Sequence, residues 1–271
     1  MNETKLIVLR RFIYKTLFVI DQLLKRQSRV VILCYHSIEN DLWRFSVAPN
    51  NFAEQMQFMK KHFTPVTLSD ITLYLQGKKR YKRPIFALTF DDGYQNIYKT
   101  VQLLKKMEIR PCVFMLGTPK KANRAIFESD KPLLSYKELR SLKRANWQIG
   151  SHGSTHEILT HCSFERLTYE TQGAKKNLER NTASPVNYFS YPKGIYSRGV
   201  ITEVIKSGYN GACTMNDDQI SKHTNPYLLP RVGIDGTHSQ KEFETLVSPS
   251  VIAFRKLIKS SFLGRVYEKT I

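Results

Sequence analysis

Two short stretches of the chain carry side chains whose types and spacing suit metal-assisted hydrolysis. The first is Thr89-Phe90-Asp91-Asp92-Gly93, directly after the apolar run Ile85–Leu88. Neighbouring carboxylates at a strand end repel each other and raise a pKa, a cost that disappears if a cation neutralises one and leaves the other as a base. Taken alone, the pair fits a turn of solvated aspartates about as well. The second stretch is Trp147-Gln148-Ile149-Gly150 running into Ser151-His152-Gly153-Ser154-Thr155-His156, which sets two imidazoles four residues apart where the chain turns. Two His and one Asp, with a position left for water, form a catalytic metal shell. The two stretches together are far more specific than either alone.

Those residues need a scaffold, and the pattern around them supplies one. Short β-branched or aromatic runs at Val30–Tyr35, Ile85–Phe90, Cys112–Leu116, Trp147–Gly150, Val186–Tyr191, Tyr209–Thr214 and Leu228–Ile234 alternate with longer segments of helical spacing. Seven such β units with intervening helices predict a parallel α/β sheet or barrel. One helix is expected over Asn51–His62, capped by Asn50 or Asn51, with Phe52, Met56 and Met59 on one face. Two more are expected over Ser135–Ala145 and Ser163–Asn181, with Ser135 and Ser163 as N-caps and Glu138 closing a capping box. Asp91, Asp92, His152 and Pro192 all fall just after expected strands, the end where a β/α barrel keeps its active site.

From about residue 30 to 236 the chain resembles the NodB-homology polysaccharide deacetylases, carbohydrate esterase family four. The resemblance implies a deformed (β/α) barrel of about seven parallel strands, with fewer than eight complete units. Thr89-Phe90-Asp91-Asp92-Gly93 looks like the family's first motif, which makes Asp91 the catalytic base and Asp92 a metal ligand. His152-Gly153-Ser154-Thr155-His156 resembles the His-(Ser/Thr)-x-x-His motif that completes the metal triad, with Gly153 in place of the usual hydroxyl residue. Phe189-Ser190-Tyr191-Pro192-Lys193-Gly194 resembles the third motif; Tyr191 and Pro192 would line the groove and the Lys193 backbone N–H would face the oxyanion. Tyr35-His36-Ser37 resembles the Tyr-His-Ser that ends the first strand in one branch, which puts His36 at the groove.

The departures are as informative. Ser190 stands where the family usually has an Arg that bonds the base, Lys193 stands at the usual aromatic position, and the late Leu-x-His that supplies a general acid has no clear copy. Arg231, within Leu229–Asp235, is the residue placed to orient Asp91 instead. The implied chemistry is removal of N-acetyl groups from an amino-sugar glycan or lipid-linked glycan. One divalent ion would assist, zinc first, with cobalt, nickel or manganese accepted by the same donors. A catalytically impaired glycan-binding relic of the same fold is the alternative that Ser190, Lys193 and the absent acid raise.

Composition bounds the rest. The 271 residues carry 42 Lys+Arg against 23 Asp+Glu, a formal charge of +19, with ordinary globular proportions of 41% hydrophobic and 24% charged residues. Basic charge alone binds nucleic acid without sequence preference, and no recognition motif accompanies it. Residues 1–29 net +5 and 251–271 net +4, so nearly half the excess lies in two end segments flanking a catalytic unit over 30–247. Residues 5–26 read as a basic amphipathic helix. Leu6, Leu9, Phe12, Ile13, Leu17, Val19, Ile20, Leu23 and Leu24 share one face, and Arg10, Arg11, Lys15, Asp21, Lys25 and Arg26 the other. That helix either packs on the domain or docks on an anionic membrane, and residues 248–271 lean the same way. No apolar run exceeds six residues and no cleavage site follows the first helix, so neither a membrane span nor a secretory signal is expected. Cys34, Cys112, Cys162 and Cys213 read as scattered thiols, favouring the cytoplasm or the cytoplasmic membrane face. Lys78-Lys79-Arg80-Tyr81-Lys82-Arg83 precedes a strand and therefore lies at the barrel end opposite the site.

Overall fold

All seven apolar runs form strands in the computed structural model, which describes residues 3–122 and 129–260. In chain order the strands are β1 (Val30–Tyr35), β2 (Ser37–Ile38), β3 (Ser46–Val47), β4 (Thr64–Pro65), β5 (Ile85–Phe90), β6 (Cys112–Met115), β7 (Gln148–Ser151), β8 (Tyr188–Ser190), β9 (Gly211–Cys213) and β10 (Val232–Gly233). The principal sheet is parallel throughout and runs β10-β1-β5-β6-β7-β8-β9, with β4 pairing beside the start of β5. Its two edges approach each other through one segment. Leu229 bridges in parallel to Cys213 of β9, whereas Val232 and Gly233 pair with Leu33 and Cys34 of β1. The curled sheet is thereby drawn into a deformed barrel.

Side-chain alternation divides the strands between two cores. Val30, Ile32, Ile85, Ala87, Cys112, Phe114, Cys213 and Leu229 pack together inside the curl, where small residues fit. Val31, Leu33, Phe86, Leu88, Val113 and Phe189 face outward under the helices. Continuing the inward parity beyond the strand ends, Thr89 leads to Asp91 and Cys34 leads to His36. The barrel's own pleat therefore aims both groups at its mouth.

The helices are α1 (Glu3–Leu23), α2 (Pro49–His62), α3 (Leu68–Leu75), α4 (Val101–Lys106), α5 (Tyr136–Arg144), α6 (Phe164–Thr168), α7 (Ala174–Thr182), α8 (Arg198–Lys206), α9 (Gln240–Leu246) and α10 (Pro249–Ser260). Ser135 and Glu138 form the expected capping box of α5, and the Ser163 hydroxyl accepts from the Arg166 N–H at the start of α6. Two expectations are corrected. Neither Asn50 nor Asn51 caps α2: Ala48 takes the cap position without a side-chain bond, and Pro49, which has no N–H to satisfy, begins the helix. The helix expected over Ser163–Asn181 is interrupted by a π turn at Tyr169–Gly173 that separates α6 from α7.

Only part of the expected apolar face of α1 packs on the domain. The helix packs on α9 and α10 through a mixed stripe of Arg10, Ile13, Tyr14, Leu17 and Asp21. Buried Asp21 accepts from the Ser250 N–H at 2.8 Å and also bonds the Ser248 hydroxyl, and Arg10 pairs with Glu242 at 2.6 Å. Specific polar partners outcompeted the apolar face, leaving Val8, Leu9, Phe12, Val19, Ile20 and Leu23 exposed, Phe12 by 68% and Leu23 by 78%. Among the described residues no helix is long and apolar enough to cross a membrane. Of the basic C-terminal segment, residues 261–271 lie outside the described residues.

Candidate active site

The mouth of the barrel gathers Asp91, Asp92, His152, His156, His36, Tyr191 and the Lys193 turn around a cavity of about 70 Å³. Its floor is the end of β5. Asp92 and Gly93 follow with φ of +67° and +73°, a tight left-handed turn. A Cβ at Gly93 would stand 2.1 Å from Met115 Sδ, so any side chain there would have to displace a buried methionine. The turn sends the two carboxylates in different directions.

Asp91 points to the barrel axis. Arg231 grips it with two bonds, Nη1 to Oδ1 at 2.7 Å and Nη2 to Oδ2 at 2.6 Å, and the Ser190 hydroxyl donates to Oδ2 at 3.1 Å. Arg231 is itself fixed, donating to the Thr214 carbonyl at 3.0 Å, to Thr89 Oγ1 at 3.1 Å and to Ser190 Oγ at 2.8 Å. The short Ser190 side chain leaves room for this guanidinium, which reaches Asp91 from the segment that closes the sheet. Burial alone would raise the Asp91 pKa, but the paired guanidinium outweighs it and holds the carboxyl well below the usual range.

Asp92 points to the histidine loop. His152 and His156 both turn Nε2 toward Asp92 Oδ1, each at 3.4 Å. The His152 ring is oriented from behind by a 2.7 Å bond between Nδ1 and the Ser190 carbonyl. Burial opposes the charged form of Asp92, yet the adjacent imidazoles bring its pKa down to about 2. Burial takes His156 the other way, to about 4, so it is neutral at physiological pH.

The donor set passes a structural test for a metal. Asp92 Oδ1 is buried with no hydrogen-bond donor among the described residues, and its lone pairs face two imidazole nitrogens. All three ligand atoms lie within 4.8 Å of one another, compatible with one ion. Cys34, His36 and Asp91 form a second cluster of the same span. It is a poor metal site, because Arg231 occupies both Asp91 oxygens and burial pushes the Cys34 thiol up, keeping it protonated.

The remaining candidates are placed unevenly. Tyr191 and Lys193 line the cavity, with Lys193 in a left-handed turn at φ 55°. Pro192 between them is buried, close to the Gly153 loop. His36 lies beside the cavity with its ring 5.0 Å from Phe45, and its Nδ1 has no hydrogen-bond partner among the described residues. Glu170, which no sequence argument singled out, is fully buried beneath the histidine loop and accepts the N–H groups of Ser154 and Thr155. The signal for it was modest: an acid on the apolar face shared by Leu167, Ala174 and Leu178.

Comparison with known proteins fits this architecture. Residues 78–212 match the family model described as polysaccharide deacetylase. The chain belongs to the polysaccharide deacetylase family. This is a family of hydrolases acting on N-acetyl amides, and it is metal-dependent in general. A poly-beta-1,6-N-acetyl-D-glucosamine N-deacetylase of Staphylococcus aureus is 24% identical over 226 residues, 79% of this chain and 74% of that one. The Streptococcus pyogenes deacetylase PplD superposes with a TM-score of 0.70 at 20% identity, covering 82% of this chain and 100% of that one. IcaB from Ammonifex degensii gives 0.67 at 18%, covering 84% and 97%. This member of the family thus shares its deformed barrel with those solved structures.

Proposed function

We propose that this chain hydrolyses N-acetyl groups from a polymer or lipid-linked glycan of N-acetylhexosamine, releasing acetate and leaving a free amine. One observation carries the reading: an ionised, immobilised carboxylate and three convergent metal-type donors face the same small cavity. Asp92, His152 and His156 would hold one divalent ion, zinc in the first instance. Such an ion supplies Lewis acidity, polarising the amide carbonyl and lowering the pKa of water toward about 7.

Asp91 then accepts the proton of the attacking water. A carboxylate held this low is a weak base, so the water must first be made acidic; Arg231 fixes direction at the expense of basicity. The Lys193 N–H is the backbone donor assigned to the oxyanion. His36 is the imidazole assigned to protonate the leaving amine. It lines the cavity and is not in the Asp92 triad, and one of its ring nitrogens lies within 4.8 Å of an Asp91 oxygen. In this reading Arg231 takes the place of the Arg that Ser190 replaces and His36 that of the absent acid, which leaves Lys193 as the one departure without a counterpart.

The activity of the Staphylococcus aureus relative makes β-linked N-acetylglucosamine oligomers the first substrates to try. Each hydrolysis should lower the product mass by about 42 Da, one acetyl exchanged for hydrogen, and His36→Gln should slow turnover by about two orders of magnitude with metal still bound. A metal-loaded protein that releases no acetate from glycan or lipid-linked substrates would sink the enzyme reading.

The outward stripe of α1 supports an anionic membrane face as the place of work. Phe12, Val19 and Leu23 are exposed there, beside exposed Lys15 and ahead of Lys25 and Arg26. Flotation with anionic vesicles should recover the full chain, neutral vesicles less, and Phe12→Ser with Leu23→Ser neither. Equal flotation of variant and wild type would remove the helix from this role.

A further inference from the structure

Between His152 and His156 the chain turns sharply, with φ of +80° at Gly153 and +68° at His156. A left-handed histidine persists only where its surroundings fix it. The carbonyls of Gly153 and Ser154 accept the N–H groups of Gly117 and Thr118, each at 2.8 Å, and the N–H side of the loop is held by one side chain, Glu170. Its Oε2 accepts the N–H of Ser154 at 2.8 Å and of Thr155 at 2.9 Å, and its Oε1 accepts the Thr155 hydroxyl at 2.7 Å. Arg166 supplies the counter-charge at 3.0 Å and donates to Thr155 Oγ1 at 2.7 Å. The Ser154 hydroxyl completes the clamp by donating to the Tyr169 carbonyl at 2.7 Å.

Glu170 and Tyr169 both belong to the π turn that splits α6 from α7. Such turns add a residue to the helix and shift the side chains that follow, and they recur at functional sites. Gly153 completes the picture: a Cβ there would stand 2.9 Å from Glu170 Oε2. Where the sequence motif usually carries a hydroxyl, the space beside Gly153 is taken by a carboxylate that binds the loop, and φ of +80° itself favours glycine.

We propose that Glu170 is a positioning residue for the metal site, acting through Ser154 and Thr155 to aim His156, and that Gly153 is the partner its carboxylate requires. This rests on the assignment of Asp92, His152 and His156 as metal ligands. Loss of the clamp should loosen one ligand of three while leaving the barrel folded.

The test uses the full chain, zinc as probe and a competing chelator, with melting followed in metal-free and zinc-loaded protein. Glu170→Ala should weaken zinc retention by about 10- to 100-fold, the range seen when groups that orient metal ligands are removed. The rise in melting temperature on adding zinc should shrink with it. Glu170→Gln keeps an oxygen for the two N–H groups but sets an amide beside Arg166, so an intermediate loss is expected; this milder change carries the test should the alanine variant not fold. Gly153→Ser should weaken zinc in the wild-type background and do so less beside Glu170→Ala, where the clash is gone. Variants that melt lower yet bind zinc with wild-type affinity would reduce Glu170 to a structural residue and overturn the proposal. A wild-type chain that retains no divalent metal would instead overturn the ligand assignment beneath it.

Discussion

The two walls of the cavity handle buried charge in opposite ways. On the Asp91 wall both carboxylate oxygens are taken, by a guanidinium and a hydroxyl, and the charge is neutralised within the protein. On the Asp92 wall an oxygen with no hydrogen-bond donor among the described residues faces two imidazole nitrogens, each at 3.4 Å. Consecutive residues of one strand end are thus held differently, one in a bidentate ion pair and one against two histidines. A filled hydrogen-bond shell fixes the direction of a group, whereas donor atoms gathered around an unsatisfied oxygen suit a shared cation.

Changes that unbalance the filled wall should have the largest effect. Arg231→Met leaves Asp91 buried and unpaired, and should cost about 3–5 kcal/mol in chemical denaturation. Adding Asp91→Asn to it should restore part of that loss, and failure to do so would mean the pair is not the unit described. Next comes the contrast between neighbours. Asp91→Asn should keep the metal but lower deacetylation at least a hundredfold, about 2.7 kcal/mol, whereas Asp92→Asn should lose metal in elemental analysis. Identical behaviour of the two variants would erase the distinction between the walls.

The smallest effect is that of acid on stability. The Asp91 pKa is lower folded than its value of about 3.9 in an unfolded chain. Its contribution is therefore complete above the unfolded value and drains away as pH falls from about 5. Stability measured downward from pH 5 should fall more gently in the Arg231→Met, Asp91→Asn double variant than in wild type. Equal slopes would place the acid sensitivity elsewhere, Asp235 with His238 being the next candidate.

The strands were legible because their inward and outward faces are both covered, so each is written as a continuous apolar run such as Val30–Tyr35. Asp91, Asp92, His152 and His156 were legible because their types and spacing already state a chemistry. Arg231 left a signal of its own, a lone cation inside the run Leu228–Ile234. Less could be read where tertiary partners decide. The apolar face of α1 did not reveal which side packs, because Asp21 and Arg10 find buried partners at α9 and α10. The π turn is invisible to a 3.6-residue period, since Ser163–Asn181 reads as one helix until Glu170 has a loop to hold.

Arg231 lies 140 residues after the carboxylate it holds, in the segment that joins β9 to β1. During synthesis Asp91 is therefore made long before its counter-ion, and a nascent chain that buried it would bear an unmatched charge. The segment that closes the sheet is thus also the one that makes this carboxylate tolerable in the interior, so barrel closure and charge pairing are one step of assembly.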